Sequence, residues 1–189
     1  MKPPEVFRTV KQPKGSKICS ACCIAMATGF ELIRVVQEVG GGENLQHQSK
    51  QAEYLARYGI QCGITLKAIS GDDPSVDAYS DKSVRMDFPM DVPMQRIDMR
   101  GVPAILVVDS LEYPGFYHNM FWDGMVIRDP RQSFPDAMPP EMFNGKIIEV
   151  VPLMYYIDEA EYPEVKRKAD EAIAAAQAGD FRYHPGEVA

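Results

Sequence analysis

The sequence predicts an α+β fold in which N-terminal helices pack on an antiparallel β-sheet. Three observations carry this expectation. Helical periodicity and helix-stop signals crowd into the first sixty residues. Short apolar runs with strand character crowd into the segment after residue 100. Between two of those runs stands Asp123-Gly124, a strong hairpin signal that joins its strands antiparallel.

In chain order, residues 1–16 are rich in Pro, Lys and Gly and read as extended or looped chain, with a short strand over Val6–Val10. A first helix is expected over Cys19–Thr28. Its small residues (Ser20, Ala21, Cys22, Cys23, Ala25, Ala27) allow close approach by another element, while Ile24 and Met26 supply apolar mass, so this helix should be buried. Glu31–Val39 places apolar residues at 32, 33, 35, 36 and 39 on one helical face, and Gly40-Gly41-Gly42 stops it. A third helix, Leu45–Tyr58, turns Leu45, Ala52, Leu55 and Ala56 inward, with Gly59 in the expected C-cap position. Ile60–Ile69 reads as a strand. The next thirty residues contain Asp72-Asp73-Pro74, Phe88-Pro89 and Val92-Pro93 and read as an irregular loop bordering a cleft. Pro103–Val108 has the continuous apolar character of a central strand. The hairpin strands Phe116–Trp122 and Met125–Asp129 follow, and Lys146–Met154 supplies the last strand. This divides the chain into one domain over residues 1–157 and a C-terminal appendage over 158–189, a charged helix to Ala178 followed by a mobile tail.

Bulk properties narrow the function classes. The 189 residues are 46% hydrophobic and 25% charged, ordinary for a globular chain. A formal charge of −7 argues against general nucleic-acid binding, which needs a basic face. The longest apolar runs, such as Val102–Val108, fall far below the ~18 residues of a membrane span, and the start Met1–Arg8 carries no apolar segment of the signal-peptide kind. A cytoplasmic chain without membrane association is expected. Cysteines at 19, 22, 23 and 62 are too clustered to staple a secreted scaffold and read as reduced thiols. No second closely spaced Cys/His pair completes a zinc site, and no cofactor motif is visible.

Chemistry concentrates on Cys19. It falls at the N-terminus of the first helix, where free N–H groups and the helix dipole favour thiolate, and Lys14 and Lys17 add positive charge. A single cysteine on an apolar helix is ordinarily core, so the reading depends on partners elsewhere. With Asp123-Gly124 as a two-residue turn, Trp122 pairs with Met125 and His118 stands opposite Asp129, on one face of the hairpin. Taken singly, these two are an ordinary cross-strand pair. Taken with Cys19 they are the three parts of a thiolate–imidazolium enzyme: Cys19 as nucleophile, His118 as proton carrier, Asp129 as the group orienting the ring. Gln12, seven positions before Cys19, is placed to donate an amide N–H to a developing oxyanion. His47 and His184 read as solvated, and Trp122, Tyr117 and Phe116 as candidate walls of the site.

The run Gln12…Cys19-Ser-Ala-Cys-Cys-Ile-Ala-Met26, with Gly101-Val-Pro-Ala-Ile-Leu-Val-Val108, His118 and Asp129-Pro130, resembles papain-like cysteine peptidases of the bacteriocin-processing, double-glycine type and their stand-alone relatives. The resemblance spans roughly residues 8 to 155; Ser20 stands where that family has glycine, and Gln12 is one residue further from the cysteine. It implies a papain-like fold and a cysteine peptidase acting on a peptide or protein substrate, at a peptide or isopeptide bond, through a thioester on Cys19. It assigns His118 as base, Asp129 as orienting residue and Gln12 as oxyanion donor. Two alternatives stay open on the residues themselves. Cys19-Ser-Ala-Cys22 is also the Cys-x-x-Cys of a thioredoxin-like thiol-disulfide oxidoreductase, and an inactive binding module would keep the same set as a relic.

Overall fold

A helix that is apolar on every side needs protein all round it, and α1 (Cys19–Thr28) has it: every residue from Ser20 to Thr28 is buried. The computed structural model describes residues 2–63, 65–69, 85–89, 101–113, 115–143, 145 and 147–156, with positions 160, 163, 164 and 167 beyond them. The chain forms two units, Met1–Tyr156 and Ile157–Ala189. In the second, Arg167 and Glu164 pair at 2.6 Å; the charged helix and tail expected there otherwise lie outside the described residues.

In the first unit α1 is followed by α2 (Leu32–Glu38), a 3-10 turn at Gly42–Leu45 and α3 (Gln48–Arg57). The strands are β1 (Ile60–Cys62), β2 (Thr65–Ile69), β3 (Arg85–Pro89), β4 (Ala104–Asp109), β5 (Tyr117–Trp122), β6 (Ile127–Arg128) and β7 (Ile147–Tyr155). They make one sheet in the order β3-β2-β7-β4-β5-β6, with β1 also on β7. Pairing is antiparallel except between β2 and β3. The class is therefore α+β. Strand alternation sorts the core into two halves: Ile105, Phe121, Val151 and Leu153 pack with α1 and its helical neighbours. Leu106, Met120, Trp122 and Val150 pack on the other side with Ile127, Met138 and Ile147. Phe7, from the N-terminal segment, lies against Phe121 and Tyr155, and the Tyr155 hydroxyl donates to the Ala27 carbonyl at 2.7 Å, tying β7 to the end of α1.

Several element boundaries differ from expectation. Val6–Val10 is not a strand; it has a bend at Val6 and no ladder partner among the described residues. The third helix starts at Gln48, because the chain leaves Gly41 at φ 136° and first makes the 3-10 turn that holds Leu45. Its inward residues are Gln51, Tyr54 and Leu55, with Leu45 buried from the turn before it, whereas Ala56 is exposed, as is Ile33 on α2. Ile60–Ile69 is interrupted at Gly63, whose N–H donates to the Pro152 carbonyl at 2.7 Å. β3 lies inside the stretch read as irregular loop, the rest of which is outside the described residues.

One contact positions the start of α1. A Cβ built on Gly42 would stand 2.5 Å from Ile18 Cγ2 and 2.9 Å from Ile18 Cβ, and Ile18 is the residue before Cys19. Gly42→Ala is expected to cost about 1–3 kcal/mol through overpacking, measured by chemical denaturation. A loss of only a few tenths would mean that Ile18 is free to shift.

Candidate active site

The N-terminus of α1 begins at Cys19 itself, with Ile18 at the N-cap and no side-chain cap. The first turn therefore keeps free N–H groups beside the thiol. Ser20, next in the chain, is buried, and its hydroxyl accepts from Asn119 Nδ2 at 2.8 Å. Asn119 follows His118 on β5. The residue after the cysteine is thus bonded to the residue after the histidine, and the helix terminus and the strand are fixed against each other.

His118 is 6% exposed, so it is not a surface-strand histidine. Its Nε2 lies 2.9 Å from Asp129 Oδ1, which leaves Nδ1 as the ring nitrogen free to meet the thiol. Asp129 is completely buried and also bound by Arg131: the Arg131 backbone N–H donates to Oδ1 at 2.8 Å, Nε to Oδ2 at 3.0 Å and Nη2 to Oδ2 at 2.5 Å. The expected hairpin register is corrected here. Trp122 pairs with Ile127 and Phe121 with Arg128, so the turn is four residues long and not Asp123-Gly124 alone. The cause is the Asp123 carboxylate, which accepts the N–H groups of both Met125 and Val126 (2.9 and 2.8 Å) and opens the turn. The slip is by two residues, which preserves facing; His118 and Asp129 become diagonal neighbours and still meet.

Gln12 is 8% exposed and reaches the same place by a different route. Its backbone N–H donates to the Pro130 carbonyl at 2.8 Å, and its own carbonyl accepts from Gln132 Nε2 at 2.9 Å. The neighbouring Lys11 donates to the carbonyls of Asp129, Arg131 and Phe134 at 3.1, 3.1 and 2.7 Å. Gln12, Cys19, His118, Asn119 and Arg131 all line one groove of about 430 Å³. Its rim carries Tyr113, Phe116 and Tyr117, with the Lys17 ammonium 5.2 Å and 5.1 Å from the Tyr113 and Phe116 ring centres. Trp122 is not a wall of the groove; it is packed into the second core half.

The electrostatics follow from this packing. Burial pushes the Cys19 thiol up, but the hydrogen bond and charge of His118 and the backbone N–H groups of Asn119 and Ser20 outweigh it and leave the thiol below its ordinary range. Burial likewise disfavours the imidazolium, yet the bonds to Asp129 and Cys19 raise His118 to about 9. Asp129, against its own burial, is held at about 2 by His118 and Arg131. The arrangement therefore favours a thiolate on Cys19 facing an imidazolium on His118, with Asp129 ionised behind the ring. Cys22 and Cys23 are fully buried in the core with their thiols pushed up by burial, Cys22 to about 12.

All four residues singled out in the sequence thus come together. Arg131, Ser20, Asn119 and Lys11 were not foreseen. Arg131 left one signal, since an Asp two positions before it can accept its backbone N–H in an Asx-type turn; the other three contacts join distant segments and left none. Among the described residues no group of three or more His, Cys, Asp and Glu side chains is arranged to hold a metal ion, and no single helix is long and apolar enough to cross a membrane. No protein-family model matches the chain, and comparison with curated proteins and with solved structures finds no similar one.

Iodoacetamide at pH 6.5 should alkylate Cys19 alone among the four cysteines, and His118→Ala should slow that reaction at least ~10-fold, because only the Asn119 and Ser20 backbone N–H groups then oppose the burial of the thiol. Mass-spectrometric mapping of the labelled cysteine checks both outcomes. A second expectation concerns acid. The folded Asp129 is held near 2, below the ordinary carboxyl value of 3.8, so its contribution is present above that ordinary value and is lost as pH falls toward 2. Between pH 5 and 2 the native chain should lose about 2 kcal/mol more stability than Asp129→Asn, by denaturant titration.

Proposed function

We propose that this chain is a papain-like cysteine peptidase or a closely allied thiol hydrolase, acting on a peptide or isopeptide bond. The observation that carries the reading is the continuous chain Cys19–His118–Asp129 at the wall of an open groove, with Asp129 on Nε2 and the thiol left to Nδ1. The Cys19 thiolate adds to the carbonyl carbon. The oxygen that becomes negative is met by the Cys19 backbone N–H and by the amide of Gln12, a residue lining the groove whose Oε1 is buried without a hydrogen-bond partner among the described residues. The C–N bond then breaks as the His118 imidazolium gives its proton to the departing amine, leaving a thioester on Cys19. His118, now neutral, takes a proton from an attacking water; the C–S bond breaks, the acid departs and the thiolate–imidazolium pair is restored.

Dithiol exchange through Cys19 and Cys22 is less well supported. The partner thiol has no access to solvent and is a weak acid, both of which slow disulfide chemistry. It would also leave His118 and Asp129 without a role.

Incubation with a library of peptides derived from digested cell protein, read by mass spectrometry, tests the reading. New peptide termini are expected with the native chain and none above background with Cys19→Ala. Gln12→Ala should lower kcat ~10²-fold with the fold retained, the scale of one lost oxyanion donor. Turnover should fall on the alkaline side near pH 9 as His118 loses its proton. Cleavage that survives in Cys19→Ala would end the proposal.

A further inference from the structure

Asp129 is a completely buried carboxylate with two cationic neighbours, and only one of them belongs to the proton-transfer chain. The other, Arg131, takes more of it. The guanidinium spans both oxygens through Nε (3.1 Å to Oδ1, 3.0 Å to Oδ2) and closes on Oδ2 through Nη2 at 2.5 Å, while the Arg131 backbone N–H fixes Oδ1 at 2.8 Å. A carboxylate held at both oxygens cannot rotate, so Oδ1, which the Arg131 backbone N–H and Nε also hold, stays where it meets His118 Nε2. Arg131 is itself immobilised: it is 4% exposed, its guanidinium carbon stands 3.8 Å from the Phe134 ring centre, and its carbonyl accepts from Lys11 Nζ at 3.1 Å.

We propose that Arg131 is a positioning residue for the Cys19–His118 pair, acting only through Asp129, by fixing the carboxylate rotamer and satisfying the charge that His118 does not. The proposal rests on the hydrolase reading above. Its physical content is twofold. With Oδ2 occupied by a permanent cation, Asp129 is a poorer acceptor for the His118 proton, so that proton stays on the ring and is available to the leaving amine. Without the guanidinium, a buried carboxylate with one free oxygen would turn or admit water, and the ring would lose its orientation. A lysine restores the charge but not the two-pronged geometry.

The test reads the ion pair without needing a substrate. Iodoacetamide alkylation of Cys19 is followed from pH 4 to 10 in the native chain, Arg131→Lys, Arg131→Met, Asp129→Asn and the Arg131→Met/Asp129→Asn double variant, with circular dichroism confirming the fold of each. Arg131→Met is expected to slow alkylation at pH 6.5 by ~10–100-fold and to move the thiolate limb of the profile upward, and Arg131→Lys should recover part of the rate. In the Asp129→Asn background, removing Arg131 should change the rate less than about 2-fold, because its only route of action is already gone. Losses that multiply in the double variant, or an Arg131→Met profile superimposable on the native one, overturn the proposal. If Arg131→Met does not fold, a full native rate in Arg131→Lys overturns it by itself. A native Cys19 no more reactive than an ordinary thiol would sink the hydrolase reading first; a fast native Cys19 indifferent to Arg131 sinks only this inference.

Discussion

Burying one carboxylate organises the working end of this protein. Asp129 has no exposure to water, and a charged group in that position persists only where hydrogen bonds and counter-charges replace its hydration. The replacements come from two places, the His118 ring of β5 and Arg131 of the following loop. The loop that carries Arg131 is in turn closed by the N-terminal segment, where Lys11 donates to the carbonyls of Asp129, Arg131 and Phe134 and Gln12 bonds the Pro130 carbonyl. Gln12 is therefore placed in the groove by the same contacts that shelter the acid. Satisfying a single buried charge sets the ring, the loop and the amide together.

The second requirement is that a helix terminus meets that assembly at a fixed distance. α1 cannot slide, since it is surrounded on all sides and close-packed, and its end is tied to β7 through Tyr155. Its start is set by Gly42, which lets the 3-10 turn press against Ile18. The Ser20–Asn119 bond then ties the residue after Cys19 directly to the residue after His118. The serine in that position has a definite physical task, which a glycine could not perform.

Much of this was legible in the residues. The polar loop running into a helix of small residues marked Cys19, strand sequence around a histidine marked His118, and the helix-then-sheet order marked the class. The hairpin shows where such reading stops. Asp123-Gly124 favours a two-residue turn locally, but the Asp123 carboxylate captures two backbone donors and also pairs with Arg128 at 2.7 Å, widening the turn. The His118–Asp129 contact came out right because an even slip keeps side chains on their face. Arg131, Lys11 and the Ser20–Asn119 bond belong to a different category. They satisfy donors and acceptors brought together only by tertiary structure, and such pairs impose no period on the sequence. β3 was missed because its residues lie in a stretch punctuated by proline and aspartate, where local signals argue for turns.

The Ser20–Asn119 bond spans 99 positions of chain. During synthesis the segment bearing Cys19 leaves the ribosome long before β5 has been translated. Until then His118 and Asn119 are missing, and of the groups that lower the Cys19 thiol only the neighbouring Ser20 N–H is in the chain. The lowering of the Cys19 thiol by His118 and Asn119 therefore exists only once helix and sheet have met, and a chain released before β5 would carry that sulfur without either influence.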